Sequence, residues 1–196
     1  MDRRLFAAGH NGPVARNKKP ANSGDMVRTL LVILVPVVII TVFFSRYLDD
    51  YPVQEVDWQP VLAQAREQAP YPVLAPKGLP GSWRPTQVTW VKTGQPHLND
   101  QPSARNLWQI GYLDPSDVYI SVNQGDARPE DFISDTTRDG VVDGRSAVGD
   151  QSWVRYVSDD ERTRSLVWST PEVTTIVVGD TTYEALEAFA GTLSAT

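Results

Sequence analysis

Apolar and polar residues are arranged in three ways along this chain, and each arrangement predicts a different kind of structure. Residues 29–44 form one continuous run without a charged side chain, bounded by Arg28 and Arg46. From residue 84 onward, apolar and polar positions alternate, which is typical of strands with one buried face. Near the C-terminus, apolar residues recur every three or four positions, which is typical of an amphipathic helix.

The apolar run predicts a membrane helix. Roughly seventeen residues separate Arg28 from Arg46, or about 26 Å of helix against a hydrocarbon core of about 30 Å. Flanking residues extend it, so we predict a transmembrane helix over residues 26–48, with Pro36 as a kink. Two alternatives are weaker. A cleavable signal peptide is disfavoured because the run ends without a small-residue cleavage site. A buried core helix is disfavoured because Val and Ile lie on all sides of the helix and leave no polar stripe.

Charge predicts the orientation of this helix. Residues 1–28 hold six basic and two acidic residues, whereas the remainder holds twelve basic and 22 acidic residues. Basic residues beside a first span stay in the cytoplasm, so we expect a single-pass protein with its N-terminus inside and its C-terminal domain outside. An acidic exported domain disfavours nucleic acid as a partner, because phosphate binding needs the opposite charge.

Composition limits how the exported part can be stabilised. The chain has no cysteine, which excludes disulfides, thiolate metal sites and a cysteine nucleophile. A segment of roughly 145 residues buries about 68% of its unfolded surface, which is enough for one domain with its own core. We therefore predict a disordered basic cytoplasmic tail over residues 1–25, a span over 26–48, a linker over 49–56 and an extracytoplasmic domain over 57–196. Met26 is an alternative start of translation.

The exported part is predicted to be an α+β domain. A first helix follows Asp57 and Trp58, with Pro60 in its first turn, and an extended segment covers residues 71–76. Seven strands and a short helix follow. The strands cover residues 86–91, 105–113, 118–123, 140–142, 151–158, 165–169 and 173–178, of which the one at 140–142 is brief, and the helix covers residues 127–134. Short turns between sequential strands indicate a twisted antiparallel sheet packed against helices.

Turn and cap signals fix the ends of some elements. Asp143-Gly144 predicts a tight turn, and Asp159, Asp160 and Glu161 predict a charged turn. Thr181, with Glu184 three residues later, predicts a capping box for the C-terminal helix. The apolar face of this helix includes Phe189, and we expect the helices to cover one face of the sheet.

Candidate catalytic residues are few. His97, in a polar loop, is the only histidine outside the tail and the span, and the chain has no G-x-S-x-G elbow and no S-x-x-K motif with a suitable partner. A surface-loop histidine is the favoured interpretation. A hydrolase of envelope polymers that uses carboxylates or His97 stays open as an alternative. We assign no catalytic residue, no metal ligand and no cofactor, and the ligand-binding residues stay unknown.

Tryptophan is the one residue type in excess. The chain has six, at positions 58, 83, 90, 108, 153 and 168, and four of them lie in predicted strands. The favoured interpretation is a tryptophan-rich sheet core. The alternative is an aromatic groove that holds a lipid, glycan or peptide, because aromatic rings suit ligand stacking and partner hot spots. Which face of the sheet each indole occupies decides between the two.

Several short motifs together resemble one family, the actinobacterial single-pass membrane proteins of domain-of-unknown-function family 4245. The resemblance runs from Met26 onward and rests on the apolar segment and on Tyr71-Pro72-Val73, Gly78-Leu79-Pro80, Trp83-Arg84, Trp108-Gln109-Ile110-Gly111-Tyr112, Val142-Asp143-Gly144, Arg164-Ser165-Leu166-Val167 and Glu187-Ala188-Phe189-Ala190. It implies a cell-envelope location and no known activity, cofactor or site residue.

These observations favour a binding function over an enzyme. We expect a domain, anchored in the cytoplasmic membrane, that serves a cell-envelope process through a protein partner. An apolar ligand held between sheet and helix is the second interpretation, so a lipid or glycan stays a candidate ligand.

Overall fold

The computed structural model describes residues 23–47, 54–97 and 100–195. The chain divides into two units, Met1–Pro52 and Val53–Thr196. The predictions for the tail before residue 23 and for most of the linker lie outside the described residues. Within the first unit, the structure describes one helix, α1 (Ser23–Tyr47), which contains Pro36.

Helix α1 contains the apolar run. Its segment Met26–Phe44 is the one stretch in the described ranges that is long and apolar enough to cross a membrane. The large apolar side chains along it are exposed, with exposed fractions between 47% at Leu34 and 77% at Met26. Thr41 donates its hydroxyl to the carbonyl oxygen of Val37, at 2.8 Å, so this polar group is satisfied within the helix. The helix is therefore a candidate membrane anchor or signal sequence.

The second unit contains three helices and nine strands among its described residues. The helices are α2 (Gln59–Gln68), α3 (Pro129–Thr137) and α4 (Tyr183–Ala190). The strands are β1 (Ala75–Pro76), β2 (Arg84–Val91), β3 (Leu107–Leu113), β4 (Tyr119–Gly125), β5 (Val141–Val148), β6 (Gln151–Val157), β7 (Arg164–Ser169), β8 (Thr174–Gly179) and β9 (Leu193–Ser194).

Seven of these strands form one antiparallel sheet in the order β2-β3-β4-β8-β7-β6-β5. The sheet consists of two meanders, β2 to β4 and β5 to β8, which are joined side by side where β4 pairs with β8. Helix α3 connects the meanders by carrying the chain from β4 to the far edge at β5. The short pair β1 and β9 ties the extended segment before β2 to the C-terminus. The α+β class with an antiparallel sheet is thus confirmed.

Strand alternation places different chemistry on the two faces of the sheet. Ile110 of β3 lies beside Val122 of β4, and Gln109 lies beside Asn123. Because successive side chains of a strand point to opposite faces, the apolar pair belongs to what we call the first face and the polar pair to the second face. The predicted alternation in these two strands is confirmed.

The first face carries the main core. Helices α2 and α4 and the segment over residues 71–76 cover it, and the buried cluster includes Trp108, Leu186 and Phe189. The Phe189 ring stacks on Trp83 at 5.5 Å between centroids and meets Tyr112 at 6.2 Å. The apolar face predicted for α4 therefore packs on the sheet.

Buried hydrogen bonds fasten the extended segment to this face. The indole nitrogen of Trp108 donates to the carbonyl oxygen of Leu74, at 2.8 Å. Gln124, which is 1% exposed, accepts from the Leu74 amide and donates to the Pro72 carbonyl oxygen and the Thr175 hydroxyl. A buried amide needs such partners, because an unpaired polar group costs free energy.

Helix α3 corrects one expectation. It packs on the second face, where Phe132 lies against Val167 and Ile176, so helices cover both faces of the sheet rather than one. The sequence of residues 127–134 predicts a helix but not the face of the sheet on which the helix packs, because a connection between two meanders can cross either face. Helix α3 covers only part of the second face, and the rest is open.

The prediction of a tight turn at Asp143-Gly144 is wrong. Strand β5 runs through both residues with a β-bulge between Val142 and Arg145, and Gly144 has φ of +93°, which glycine adopts without strain. The hairpin turn lies instead at Gly149 and Asp150. A bulge and a tight hairpin turn can both place a glycine at positive φ, so the local sequence cannot separate them.

The capping box is also wrong by one residue. Thr182, not Thr181, is the N-cap of α4, and its hydroxyl accepts from the Ala185 amide at 3.3 Å. Ala185 is therefore the third helical residue, and Glu184 is one position too early to complete the box. Two adjacent threonines offered two candidate caps, and only the backbone conformation separates them.

One ion pair fastens α4 to the edge of the sheet and should make stability depend on pH. Arg155 donates to Glu187 at 2.8 Å, and Ser146 donates to the same carboxylate at 2.6 Å. These hydrogen bonds, from Ser146 first and then Arg155, lower the pKa of Glu187. Because the folded pKa is depressed, this stabilisation is present above the ordinary glutamate pKa of about 4.3 and is lost as the pH falls through the folded value.

We therefore expect Glu187→Gln to lower the free energy of unfolding at pH 7 by about 1 kcal/mol. The deficit relative to wild type should shrink below pH 4. Urea unfolding at both pH values measures this, with Glu172→Gln in the exposed β7–β8 turn as the control. A deficit that is equal at both pH values would contradict the assignment.

Candidate functional site

The open part of the second face forms a cleft. Its volume is about 820 Å³, within the range of roughly 300–1,000 Å³ that is usual for ligand sites. Strands β3, β4 and β8 supply the floor, α3 one wall, and the connection between β2 and β3 the other. The polar, charged and aromatic residues that line the cleft include His97, Arg105, Gln109, Asp117, Tyr119, Ser121, Asn123, Phe132, Asp135, Thr136, Arg138, Thr163 and Asp180.

A flat tyrosine forms one end of the floor. The Tyr119 side chain crosses β3 at Gly111, where an added Cβ atom would lie 2.1 Å from the Tyr119 hydroxyl oxygen. That hydroxyl donates to Gln87 at 2.8 Å, and Gln87 donates to Gln109 at 3.2 Å. Burial raises the pKa of Tyr119, and hydrogen bonds with Ser121 and Gln109 oppose the rise. Glycine at position 111 is thus required for the ring to lie against the sheet.

The centre of the floor holds two buried polar side chains. Ser121 is 2% exposed and Asn123 is 5% exposed. Among the described residues, the Asn123 amide makes one side-chain hydrogen bond, a donation to the Ser121 hydroxyl at 3.1 Å. An asparagine amide can make four hydrogen bonds. Its carbonyl oxygen and one N–H therefore remain available to a group in the cleft.

Arg105 lies in the wall of the cleft with unused donors. Its guanidinium stacks over the Phe132 ring, at 4.8 Å from the centroid, and one N–H reaches the Arg128 carbonyl oxygen at 3.4 Å. No carboxylate lies within 4.0 Å of it in the ranges that the structure describes. Burial lowers the pKa of Arg105, and the charge of Asp135 opposes this most. The side chain is held in place by stacking rather than by an ion pair.

Charges at the two ends of the cleft are largely paired. Asp180 lies 3.8 Å from both Arg138 and Arg162 and accepts from the Thr163 hydroxyl at 2.6 Å. Asp117 at the other end pairs with Arg84. The cleft therefore presents little net charge to a ligand.

The structure places His97 and three carboxylates on this cleft without joining them into a catalytic group. The described contacts of His97 are main-chain hydrogen bonds with Gln101 and Asp100. In residues 54–97 and 100–195, no hydrogen bond links its imidazole to a carboxylate or a hydroxyl. The open alternative of a hydrolase thus finds its candidate residues in one cleft, with no nucleophile and base in contact.

The acidic cluster at residues 159–161 has a structural role. It forms the turn between β6 and β7, where the Asp160 carboxylate accepts from Ser158 at 2.6 Å and from the Arg162 amide at 3.2 Å. The predicted charged turn is confirmed. No group of three or more potential metal-binding side chains occurs in the described part of the chain.

All six tryptophans belong to the cluster on the first face. Trp153 and Trp168 lie 5.8 Å apart within it, and Trp90 donates to Gln68 at its margin, at 3.2 Å. This distribution supports the core interpretation. The cleft on the second face is lined without a tryptophan, and a smaller hollow of about 280 Å³ lies beside Trp168 and Pro171.

Sequence reasoning did not locate the cleft. The strand that forms its floor carries Tyr119, Ser121 and Asn123 on one face, a polar face that is ordinary for a sheet open to solvent. What makes it unusual is that β4 is an interior strand of the sheet, where apolar residues normally occupy both faces once helices cover them. Strand order was therefore the missing information.

Comparisons with known proteins identify a family and distant structures. Residues 18–193 match the model of a family described as "Protein of unknown function (DUF4245)". No curated protein matches the chain. The crystal structure of MucB in complex with MucA(peri) is similar, at 13% identity and a TM-score of 0.35. The complex structure of Pseudomonas aeruginosa MucA/MucB gives 16% identity and a TM-score of 0.30.

The two structures are compared over 62% of this chain, and the match covers 35% and 34% of theirs. The chain therefore spans about a third of the length of those proteins. Likenesses this distant carry no argument about function.

Proposed function

The chain belongs to the DUF4245 family, and from the geometry of its cleft we propose that it is an extracytoplasmic binding domain, tethered to the cytoplasmic membrane, which binds a segment of a protein partner of the cell envelope. Helix α1 is the proposed anchor, with the basic tail inside and the second unit outside. The single observation that carries the binding function is the floor of the cleft, where Asn123 is buried beside Ser121 and keeps a carbonyl oxygen and one N–H without a protein partner among the described residues.

Buried polar groups without full hydrogen bonding are rare, because each costs free energy. Gln124 follows that rule with three side-chain hydrogen bonds, whereas Trp153 Nε1 and Ser165 Oγ, elsewhere in the sheet, are buried without a partner in the part of the chain that the structure describes. Asn123 is the neighbour of Gln124 on the opposite face of β4, and it differs from those two residues because its unused groups line the cleft. The unused groups of Asn123 lie at the bottom of a ligand-sized cleft. This position supports ligand binding as the explanation for them, since departures from the usual packing rules are expected at functional sites.

The polar floor favours a protein segment over an apolar ligand. A lipid chain placed against Asn123 would leave the carbonyl oxygen and the second N–H of its amide without a partner, which is costly. The first face, where an apolar ligand was the other expectation, is covered by α2, α4 and the segment over residues 71–76. The hollow that remains there, beside Trp168, has a volume of about 280 Å³, which is smaller than the roughly 300–1,000 Å³ usual for a ligand site.

Photocrosslinking tests the proposal in the intact cell. Thr136 on α3 lines the cleft, whereas Glu130 on the same helix is exposed outside it. With benzoylphenylalanine at position 136 of the full-length chain, we expect irradiation to give one discrete adduct of protein size. The same photoprobe at position 130 should give little or none of it.

The outcome depends on the position of the probe. An adduct at both positions with equal yield would mean that the cleft is not the contact surface. No adduct of protein size at position 136 would contradict a protein partner.

A further inference from the structure

The chemistry of the cleft also limits what kind of protein segment can occupy it, and this inference rests on the proposed function. The cleft offers unused hydrogen-bonding groups on two side chains: the carbonyl oxygen and one N–H of Asn123, and N–H donors of the Arg105 guanidinium. Ser121 and Gln109, which hydrogen-bond to neighbouring side chains, complete the polar lining. Three of these side chains are uncharged. Peptide groups, which carry one donor and one acceptor each, match such a mixture of donors and acceptors.

Arg105 is the exception in charge, and its surroundings determine what it can bind. The carboxylates of Asp126, Asp131 and Asp135 act on it, against the positive charge of Arg128. A carboxylate on the ligand would be attracted by Arg105 and repelled by these three aspartates. A neutral carbonyl oxygen accepts from the guanidinium without that repulsion.

A basic segment would find most carboxylates of the cleft already in ion pairs. Asp117 and Asp180 are already engaged by arginines, so a ligand cation would have to displace an existing pair. Among the carboxylates that line the cleft, Asp135 is the one without an ion pair in the described residues, and its charge acts on Arg105. A cation that approached Asp135 would be repelled by Arg105, and an anion that approached Arg105 would be repelled by Asp135. Charge therefore favours neither an acidic nor a basic segment.

The aromatic residues separate a peptide from a glycan. The cleft offers Tyr119, which lies against Gly111, and Phe132, whose ring is covered by Arg105. All six indoles, which are the larger stacking surfaces, lie in or pack against the core on the other face and are absent from the cleft lining. A sugar ring would have only one partly buried phenol on which to stack, whereas hydrogen bonds to a peptide backbone need no such surface.

We infer that the cleft takes an extended, uncharged peptide segment of the partner and holds it chiefly through its peptide groups, with Asn123 at the centre of the contact and Arg105 as a donor to carbonyl oxygens. Binding of this kind should be nearly independent of ionic strength, because salt screens charges and not neutral hydrogen bonds.

Selection of peptides tests the inference without knowledge of the partner. The probe is a phage library of random linear heptapeptides, panned against the full-length chain in nanodiscs. We expect enriched peptides that lack Asp, Glu, Lys and Arg. For the best synthetic peptide, Kd should change less than about twofold between low and high salt, and Asn123→Leu should raise Kd about tenfold or more.

A matched pair of variants separates binding from folding. Asn123 and Gln124 are adjacent buried amides on opposite faces of β4. Asn123→Leu replaces an amide with unused capacity, so the melting temperature should stay the same or rise, as at functional sites. Gln124→Leu removes three hydrogen bonds, so the melting temperature should fall. A lower melting temperature for Asn123→Leu than for Gln124→Leu would overturn the role assigned to Asn123.

Three outcomes would overturn the peptide class: enrichment of charged peptides, failure to enrich any peptide that depends on Asn123, and Asn123-dependent binding of an N-acetylglucosamine tetrasaccharide. If crosslinking at position 136 nevertheless captures a protein, the proposed function stands and only the inference about its ligand fails. If crosslinking also fails, both fall.

Discussion

Replacing Phe189 by aspartate is expected to unfold the second unit. Phe189 is 2% exposed and lies between the rings of Trp83 and Tyr112. Removing the ring alone costs about 3–5 kcal/mol, as for other buried phenylalanines, and a buried carboxylate without a partner adds several kcal/mol more. Because small domains are stable by about 5–15 kcal/mol, the sum approaches or exceeds the whole free energy of unfolding.

Tryptophan fluorescence of the full-length chain measures the unfolding. All six indoles lie in the core of the second unit or pack against it, so their emission reports on that core. Ala188→Asp is the matched control, because it introduces the same residue one position earlier, on the exposed side of α4. We expect the control to melt like wild type and Phe189→Asp to show no cooperative transition. A normal melt for Phe189→Asp would contradict the packing of α4.

Arginines at positions 34 and 35 are expected to remove the chain from the membrane. Each arginine at the centre of a spanning helix opposes insertion by about 2.5–3.5 kcal/mol. Leu34 and Val35 lie near the middle of Met26–Phe44. Most of the double variant should therefore appear outside the carbonate-resistant membrane fraction, whereas Leu34→Ala with Val35→Ala should stay within it.

The mass of the wild-type protein completes this test. An anchor is retained, so the mature chain should keep residues 26–44. Loss of that segment in the mature protein would identify a signal sequence and contradict the tether. Membrane retention of the arginine variant equal to that of the alanine variant would contradict it as well.

Local patterns predicted the strands well. The alternation in β3 and β4 and the three- and four-residue spacing in α4 arise from backbone geometry, so they are visible in any short window. The turns were less certain, because Asp143-Gly144 satisfies the requirements of a bulge as well as those of a hairpin. Adjacent Thr181 and Thr182 likewise gave two equivalent caps.

Long-range features could not be predicted from such windows. The pairing of β4 with β8 joins segments about fifty residues apart, and it depends on which edges of the two meanders fit together. The side taken by α3 follows from that choice. The cleft in turn needs β4 to be an interior strand and α3 to cover only part of the second face, so no motif in the sequence marks it.

One signal in the sequence could have indicated the site. Gly111 stands at the centre of a strand otherwise rich in large residues, and glycine within a strand often marks a close approach of another group. Here that group is Tyr119, whose ring forms the floor of the cleft. Two polar residues beyond Tyr119, Ser121 and Asn123, follow at the spacing of one strand face. Together these positions outline the floor, once β3 and β4 are paired.

The central claim is that the cleft binds a partner protein, and native mass spectrometry of the full-length chain, extracted gently from its own membranes, tests it most directly. Wild type should carry a discrete additional mass of protein size. Thr136→Trp, which places an indole in the wall of the cleft, should lose that mass, while Glu130→Trp keeps it. The same additional mass on Thr136→Trp, an adduct of only lipid or glycan size, or a bare monomer in wild type would contradict the account.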